Sequence, residues 1–140
     1  LFLIRNPKQL IASFAQVIPD PTMKDIGLQK SWELFEYVSK IQKNNPIVLD
    51  SAEILNNPEK LLSKLCGLLK IDFYKEMLSW PKGGIKEDGV WAKHWYNNVH
   101  NSTGFTRQKT SDRELPKNCE QLYFDALKYY DKLLLNSILI

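Results

Sequence analysis

The chain has 140 residues, of which 44% are hydrophobic and 25% charged, a composition typical of one globular domain. Its net charge of +3 comes from 19 basic and 16 acidic residues mixed along the sequence, which argues against a nucleic-acid partner and fits an anionic small-molecule ligand. The two cysteines are too few for a metal cluster, and as reduced thiols they predict a cytoplasmic location. The C-terminal segment LLLNSILI is shorter than the ~20 apolar residues of a membrane-spanning helix.

The first predicted element is a strand over residues 1–5, in which four apolar residues precede Arg5. Asn6 and Pro7 then supply an N-cap and a first helical residue, and the apolar spacing that follows predicts a helix over residues 7–18. Open α/β sheets commonly hold their ligands at the ends of their strands. A polar site is therefore expected where this strand turns into the helix.

A second helix and a second strand follow. The helix is predicted over about residues 25–43. Its apolar side contains Leu28, Trp32, Phe35, Val38 and Ile41. The segment PIVLD, residues 46–50, is a short apolar run that predicts a buried strand. Because helical segments connect the two strands, a parallel pair joined by a right-handed crossover is expected.

The remaining chain is predicted to be helical on either side of one long irregular segment. From residue 81 to about residue 116 the sequence lacks periodicity, and irregular stretches of that length are often functional. Helices are expected from Asn57-Pro58 onward for about three turns, over residues 72–80, and over about residues 118–135. The first of these helices has an apolar stripe of Leu61, Leu62, Leu65, Cys66, Leu68 and Leu69. Four aromatic residues at helical spacing are interpreted as core and not as an acceptor site: Trp32, Phe35, Tyr123 and Tyr130.

Arg5 and Ser13 are the first candidate binding residues. Ser13 lies seven positions after Asn6, so the two stack nearly in line, two turns apart on the first helix. A strand-end arginine, a helix N-terminus and a hydroxyl on one side form a suitable cradle for a phosphate. The pattern alone also fits a surface ion pair at Arg5 and a small residue beside the core at Ser13.

The segment FLIRNPKQLIASF resembles the 3′-phosphate-binding segment of the sulfotransferase family, in which a strand ends in Arg and a Ser follows eight positions later. PIVLDSAEILNNPEKLLSKLCGLLKI resembles a later strand and helix of that family. The resemblance implies an α/β fold with a P-loop NTPase-like parallel sheet and flanking helices. It also implies transfer of a sulfuryl group from 3′-phosphoadenylyl sulfate to a hydroxyl or amine, without a metal. Arg5 and Ser13 would bind the 3′-phosphate of that donor.

Further candidates lie in the irregular segment. By position, Lys86, Lys93 and Trp95 fall where the family has a loop that closes over the donor, although its usual Arg-Lys-Gly triplet is absent. His94 and His100 are candidate general bases, but the family's base usually comes from a segment that precedes the 3′-phosphate strand, so the catalytic residue is left unknown. Asp50 and Ser51, at the end of the second strand, are interpreted as a helix N-cap.

The sequence contains no Gly-rich phosphate loop of the form G-x-x-x-x-G-K-[ST]. In the family that loop follows the first strand of the sheet. We therefore expect residues 1–140 to form one α/β domain that is the C-terminal part of a larger protein, with an exposed sheet edge. Two alternatives stay open: another P-loop nucleotide-dependent transferase, such as a small-molecule kinase, and a non-catalytic α/β binding module. The acceptor and the oligomeric state cannot be inferred from this sequence.

Overall fold

A computed structural model describes residues 1–90, 92, 96–106 and 113–139. The chain divides into two units. The first unit combines Leu1–Glu53 with Gln108–Leu139, and the second contains Ile54–Arg107. The architecture is α/β, with a small parallel two-stranded sheet among mostly helical elements, as the sequence predicts at that level.

The sheet of the first unit pairs β1 (Phe2–Ile4) with β2 (Val48–Asp50) in parallel. The register places Phe2 opposite Val48 and Ile4 opposite Asp50, which confirms the predicted parallel pair. Both strands are shorter than residues 1–5 and 46–50. Proline explains part of this difference, because Pro46 has no N–H to donate to a neighbouring strand.

The two edges of the sheet differ. At the second edge of β2, Ser137 forms an isolated parallel bridge with Val48, and Ile138 N–H donates to Val48 C=O at 2.9 Å. Among the described residues β1 pairs only with β2, and Leu1 and Leu3 are 67% and 63% exposed. β2 is therefore the covered strand, with all three residues buried, while β1 carries an exposed apolar face.

Helix α1 (Pro7–Phe14) begins as the sequence predicts. The Asn6 side chain accepts a hydrogen bond from Lys8 N–H at 3.0 Å, and Pro7 occupies the first turn. The helix ends four residues before the predicted boundary at residue 18. After Phe14 the chain forms a tighter turn, in which Gln16 N–H donates to Ser13 C=O and Val17 N–H donates to Phe14 C=O.

The predicted helix over residues 25–43 is two helices, α2 (Met23–Ile26) and α3 (Leu28–Gln42). They are separated by Gly27, whose φ of 69° lies in the left-handed region that glycine adopts most readily. Phe35 is buried, but Ile41 is 62% exposed, so its predicted place on the apolar side is wrong. At 100° per residue Ile41 lies about 120° around the helix from Phe35.

The core of the first unit is closed by α7 (Glu120–Leu134), which follows a 3₁₀ turn over Lys117–Cys119. α7 packs against α1, α3 and both strands. The buried cluster consists of Ile4, Ile11, Ile26, Leu28, Phe35, Val48, Cys119, Ala126, Tyr130 and Leu133. Trp32 and Tyr123 are partly buried against it, so the interpretation of these aromatic residues as core is confirmed.

Two short helices follow β2. α4 (Ser51–Asn56) begins at the cap predicted for Asp50 and Ser51, and α5 (Pro58–Leu69) begins at the predicted Pro58 and has the predicted length of about three turns. On α5, Leu61 and Cys66 are buried. Leu68 and Leu69 are 52% and 46% exposed, which corrects the predicted apolar stripe at its C-terminal end.

The helices described after α5 in the second unit are short. The helix predicted over residues 72–80 is a 3₁₀ helix over Lys75–Leu78. A second 3₁₀ helix covers Lys86–Asp88, and α6 covers Asn97–His100. Within the described parts of the chain, no helix is long and apolar enough to cross a membrane.

The segment from residue 81 onward, predicted to be irregular, is tied to the residues before it. Ser79 forms an antiparallel bridge with Gly104, and the rings of Trp80 and Phe105 meet edge to face, 5.3 Å apart between centroids. Trp80 Nε1–H donates to Ser102 Oγ at 3.0 Å. Long-range contacts of this kind carry no periodic signal in the sequence.

Candidate phosphate-binding site

Arg5 lies immediately after β1, at the carboxyl end of the parallel sheet. Its side chain is partly buried, and no acidic partner is found for it among the described residues. Burial, and then the positive charge of Arg113, lower the pKa of the Arg5 guanidinium. An anion bound here would replace the water that the guanidinium loses on burial and would neutralise its positive charge. A partly buried arginine without an acidic partner is therefore suited to bind a phosphate.

A second basic residue, Arg113, acts on Arg5 through its charge and was not among the residues predicted from the sequence. It is exposed, belongs to the first unit, and interacts unfavourably with Arg5 through their like charges. Two guanidinium groups near each other favour an anion that can neutralise both. No local pattern could have found this pair, because the two residues lie near opposite ends of the chain.

Asn6 and Pro7 set the direction of α1 beside Arg5. The Asn6 cap takes up Lys8 N–H, so one of the first-turn N–H groups is already satisfied within the protein. The remaining attraction for an anion comes from the dipole of the helix N-terminus and from Arg5 itself. The N-terminus of α1 thus adds to the attraction that Arg5 exerts on an anion. It offers fewer free N–H groups to that anion than a glycine-rich turn would.

Ser13 lies in the last turn of α1 and is half-buried. Because an α-helix rises about 1.5 Å per residue, Ser13 lies ~10 Å further along the axis than Asn6. One phosphate can meet both Ser13 and Arg5 only if the arginine side chain extends along α1. Among the described residues the Ser13 hydroxyl makes no hydrogen bond to protein, so its donor capacity is open to a ligand.

Asp50, at the carboxyl end of β2, is the buried charged residue of this region, with an exposure of 3%. One carboxylate oxygen, Oδ1, accepts a hydrogen bond from Ala52 N–H at 2.6 Å, which agrees with the predicted cap at the start of α4. The other, Oδ2, accepts one from the Tyr130 hydroxyl at 2.6 Å. This second bond could not be predicted from a local pattern, since the two residues are 80 positions apart.

The candidate residues of the irregular segment differ in whether and where the structure places them. Lys93, His94 and Trp95 lie outside the described residues. Lys86 is exposed on its 3₁₀ helix. His100 Nε2 is 2.8 Å from Asp88 Oδ2, and both side chains are mostly buried.

No group of three or more His, Cys, Asp or Glu side chains able to hold a metal ion occurs in residues 1–90, 92, 96–106 and 113–139. The guanidinium groups and the hydroxyl group of the candidate site offer charged and neutral hydrogen-bond donors to an anion. Arginine and serine hold a phosphate without cleaving it.

Comparison with known proteins identifies the family of this chain. The family model described as a sulfotransferase domain matches residues 1–135. Two curated relatives from Arabidopsis thaliana, branched-chain-amino-acid aminotransferase-like proteins 1 and 2, are 38% and 33% identical over 129 and 126 residues. These matches cover 92% and 90% of this chain but only 23% and 22% of the relatives, so the chain spans less than a quarter of their length. No solved structure matches. The chain belongs to the sulfotransferase domain family, as its resemblance in two segments predicts.

Proposed function

We propose that this chain is the donor-binding part of a sulfotransferase that moves a sulfuryl group from 3′-phosphoadenylyl sulfate to a hydroxyl or amine acceptor. Arg5, Ser13 and Arg113 bind the 3′-phosphate of the donor. The observation that carries the proposal is the partly buried Arg5 guanidinium at the end of β1, beside a second guanidinium and with no acidic partner among the described residues. The family match over residues 1–135 supports the reaction class.

The proposed roles follow from the charge of the donor. Its 3′-phosphate is a dianion, which two guanidinium groups can neutralise and a hydroxyl can orient. In the transfer, the acceptor oxygen or nitrogen attacks sulfur, the bond from sulfur to the 5′-phosphate oxygen breaks, and the acceptor loses its proton. Arg5 and Ser13 act at the 3′ end of the donor, away from the breaking bond, so their contribution is binding and orientation.

Two other functions were left open by the sequence. A small-molecule kinase would use ATP, which has no 3′-phosphate, and membership of the sulfotransferase domain family favours the first proposal. A non-catalytic module would bind the donor without transferring the sulfuryl group. The names of the two relatives describe proteins of which this chain matches less than a quarter, so we base the proposed activity on the domain match.

A reducing, cytoplasmic location also belongs to the proposal. Cys66 and Cys119 are both free and buried. Burial, with a smaller contribution from the charge of Asp20, raises the pKa of the Cys119 thiol, which keeps it protonated and unreactive. Buried reduced thiols of this kind are ordinary in proteins of reducing compartments.

The test is calorimetric titration of the full chain with adenosine 3′,5′-bisphosphate and, separately, with ADP. We expect the bisphosphate to bind more tightly, since only it carries the 3′-phosphate. Arg5→Ala should weaken its binding by about 10- to 100-fold, the effect of losing charged hydrogen bonds. Ser13→Ala and Arg113→Ala should each weaken it by roughly 3- to 10-fold.

Lys40→Ala is the matched control, because it removes one positive charge from an exposed position on α3. It should leave the dissociation constant of the bisphosphate unchanged. Equal affinity for ADP and the bisphosphate, or an affinity that Arg5→Ala and Ser13→Ala do not alter, would show that the proposed site is wrong.

A further inference from the structure

The Asp50 carboxylate joins three elements of the first unit. It lies at the end of β2, accepts Ala52 N–H in the first turn of α4, and accepts the hydroxyl of Tyr130 on α7. Asp50 is 3% exposed and Tyr130 is 8% exposed, so water contributes little to either group. A carboxylate in such a place is tolerated only while protein donors satisfy it.

This carboxylate is directly coupled to the strand that carries Arg5. In the parallel register Asp50 is the partner of Ile4, the last residue of β1, and Arg5 is the next residue along the chain. A displacement at the end of β2 is therefore transmitted to the backbone from which the Arg5 side chain begins. The same helix that holds Tyr130 also packs against α1, the helix of Ser13.

The Tyr130 hydroxyl is a dependable donor in this arrangement. Burial is the main cause that raises the pKa of Tyr130, and the hydrogen bond and negative charge of Asp50 add to it. The phenol thus keeps its proton throughout the physiological range. Replacing it with phenylalanine would leave Asp50 Oδ2 without its protein donor in a buried place, and the strand end would have to move to let water reach it.

We propose that Tyr130 is a positioning residue for the donor site: its hydroxyl, through Asp50, fixes the carboxyl ends of β2 and β1 so that Arg5 is aligned with the bound phosphate. The inference rests on the proposed function, because the phosphate is that of the sulfuryl donor. Tyr130 does not touch the donor in this proposal. It acts through Asp50 and through the register of Ile4.

The experiment measures the dissociation constant of adenosine 3′,5′-bisphosphate for the full chain and for Tyr130→Phe, with the folded fraction of each sample determined by near-ultraviolet circular dichroism. If Tyr130 only stabilised the fold, its replacement would raise the apparent dissociation constant by a factor no larger than the inverse of the folded fraction. After that correction, we expect Tyr130→Phe still to weaken binding by about 3- to 10-fold. In an Arg5→Ala background the same change should have no further effect, because the group that it aligns is gone.

Tyr129→Phe is the matched control, since Tyr129 neighbours Tyr130 on α7 and is only partly buried against the core. It should leave the corrected dissociation constant unchanged. If Tyr130→Phe does not fold at 10 °C, Asp50→Asn provides the same test, because an amide has one acceptor oxygen for two donors. A corrected constant equal to that of the unmodified chain overturns the role of Tyr130 alone, whereas no bisphosphate binding by the unmodified chain overturns the proposed function as well.

Discussion

Asp88 organises a small polar cluster in the second unit. Its carboxylate oxygen Oδ2 accepts Ile85 N–H at 2.8 Å and lies 2.8 Å from His100 Nε2. A Cβ atom added at Gly84 would lie 3.0 Å from the same oxygen, so the backbone approaches it closely. His100 is therefore engaged in holding its loop, which favours a structural role for this histidine over that of a general base.

This cluster makes the chain sensitive to acid. The hydrogen bond from Ile85 N–H, with a smaller contribution from His100, holds the pKa of Asp88 below its usual range. Below the unfolded pKa of ~3.9 the unfolded chain then binds more protons than the folded one, so stability falls as pH falls. The contribution of Asp88 is complete above about pH 5 and is lost as pH drops through its folded pKa.

In Asp88→Asn, we expect the urea midpoint to depend less on pH between about pH 5 and 2.5 than in the unmodified chain. Urea unfolding monitored by tryptophan fluorescence at each pH measures this. Asp72→Asn is the control, because Asp72 is exposed and its only described hydrogen bond is a 3.5 Å contact with Tyr74. An unchanged pH profile in Asp88→Asn would contradict the assignment.

Contacts between individual residues could be predicted only where the two residues lie close together in the sequence. Asn6 and Pro7 were predictable because a cap acts on the next few N–H groups, and the confirmed cap bond to Lys8 is local. The Asp50–Tyr130 bond and the nearness of Arg5 to Arg113 join distant parts of the chain, where one sequence carries no pairing signal.

Helix starts and helix ends were not equally predictable. Two of the three Asn-Pro sequences, before α1 and before α5, begin helices as expected, whereas the third, Asn45-Pro46, precedes β2. α1 ends in a turn over residues 15–17, and α2 ends at Gly27, although the apolar periodicity continues through both places. The periodicity continued across Gly27, and the sequence prediction therefore merged α2 and α3 into one helix.

Gly27 and Gly67 give a matched pair of predictions for these elements. Gly27 has φ of 69°, and Gly27→Ala should lower the free energy of unfolding by about 1 kcal/mol, because an L-residue is strained in that conformation. Gly67 lies inside α5 with open space at its Cβ position, so Gly67→Ala should raise the free energy of unfolding by roughly 0.5–1 kcal/mol. Urea denaturation measures both, and equal signs would contradict the backbone explanation.

At the scale of the whole molecule, the core of the first unit joins two segments that lie far apart in the sequence. Leu133 of α7 is fully buried, at 0% exposure, whereas Leu135 is 88% exposed. Leu133→Ala should lower the free energy of unfolding by about 2–5 kcal/mol, and Leu135→Ala by less than ~0.5 kcal/mol. Urea midpoints that do not separate the two variants would mean that α7 is not part of the cooperative core.

The α/β class and the parallel pair were predictable at this scale because both strands are continuous apolar runs with helices between them. The pairing of Ser137 with β2 was not, because residues 133–140 form an apolar segment that suits a helix or a strand equally well. The start and approximate length of α5, and the approximate position of α7, were predictable because the leucine spacing of both helices is regular.

The division of the first unit between Leu1–Glu53 and Gln108–Leu139 also matters while the protein is being made. β1, α1, α3 and β2 leave the ribosome before α7, which covers their apolar surface and emerges only after the second unit has been translated. During that interval the nascent chain carries two apolar strands without their cover. Chaperones that recognise such segments should therefore bind the growing chain until translation has passed Leu133.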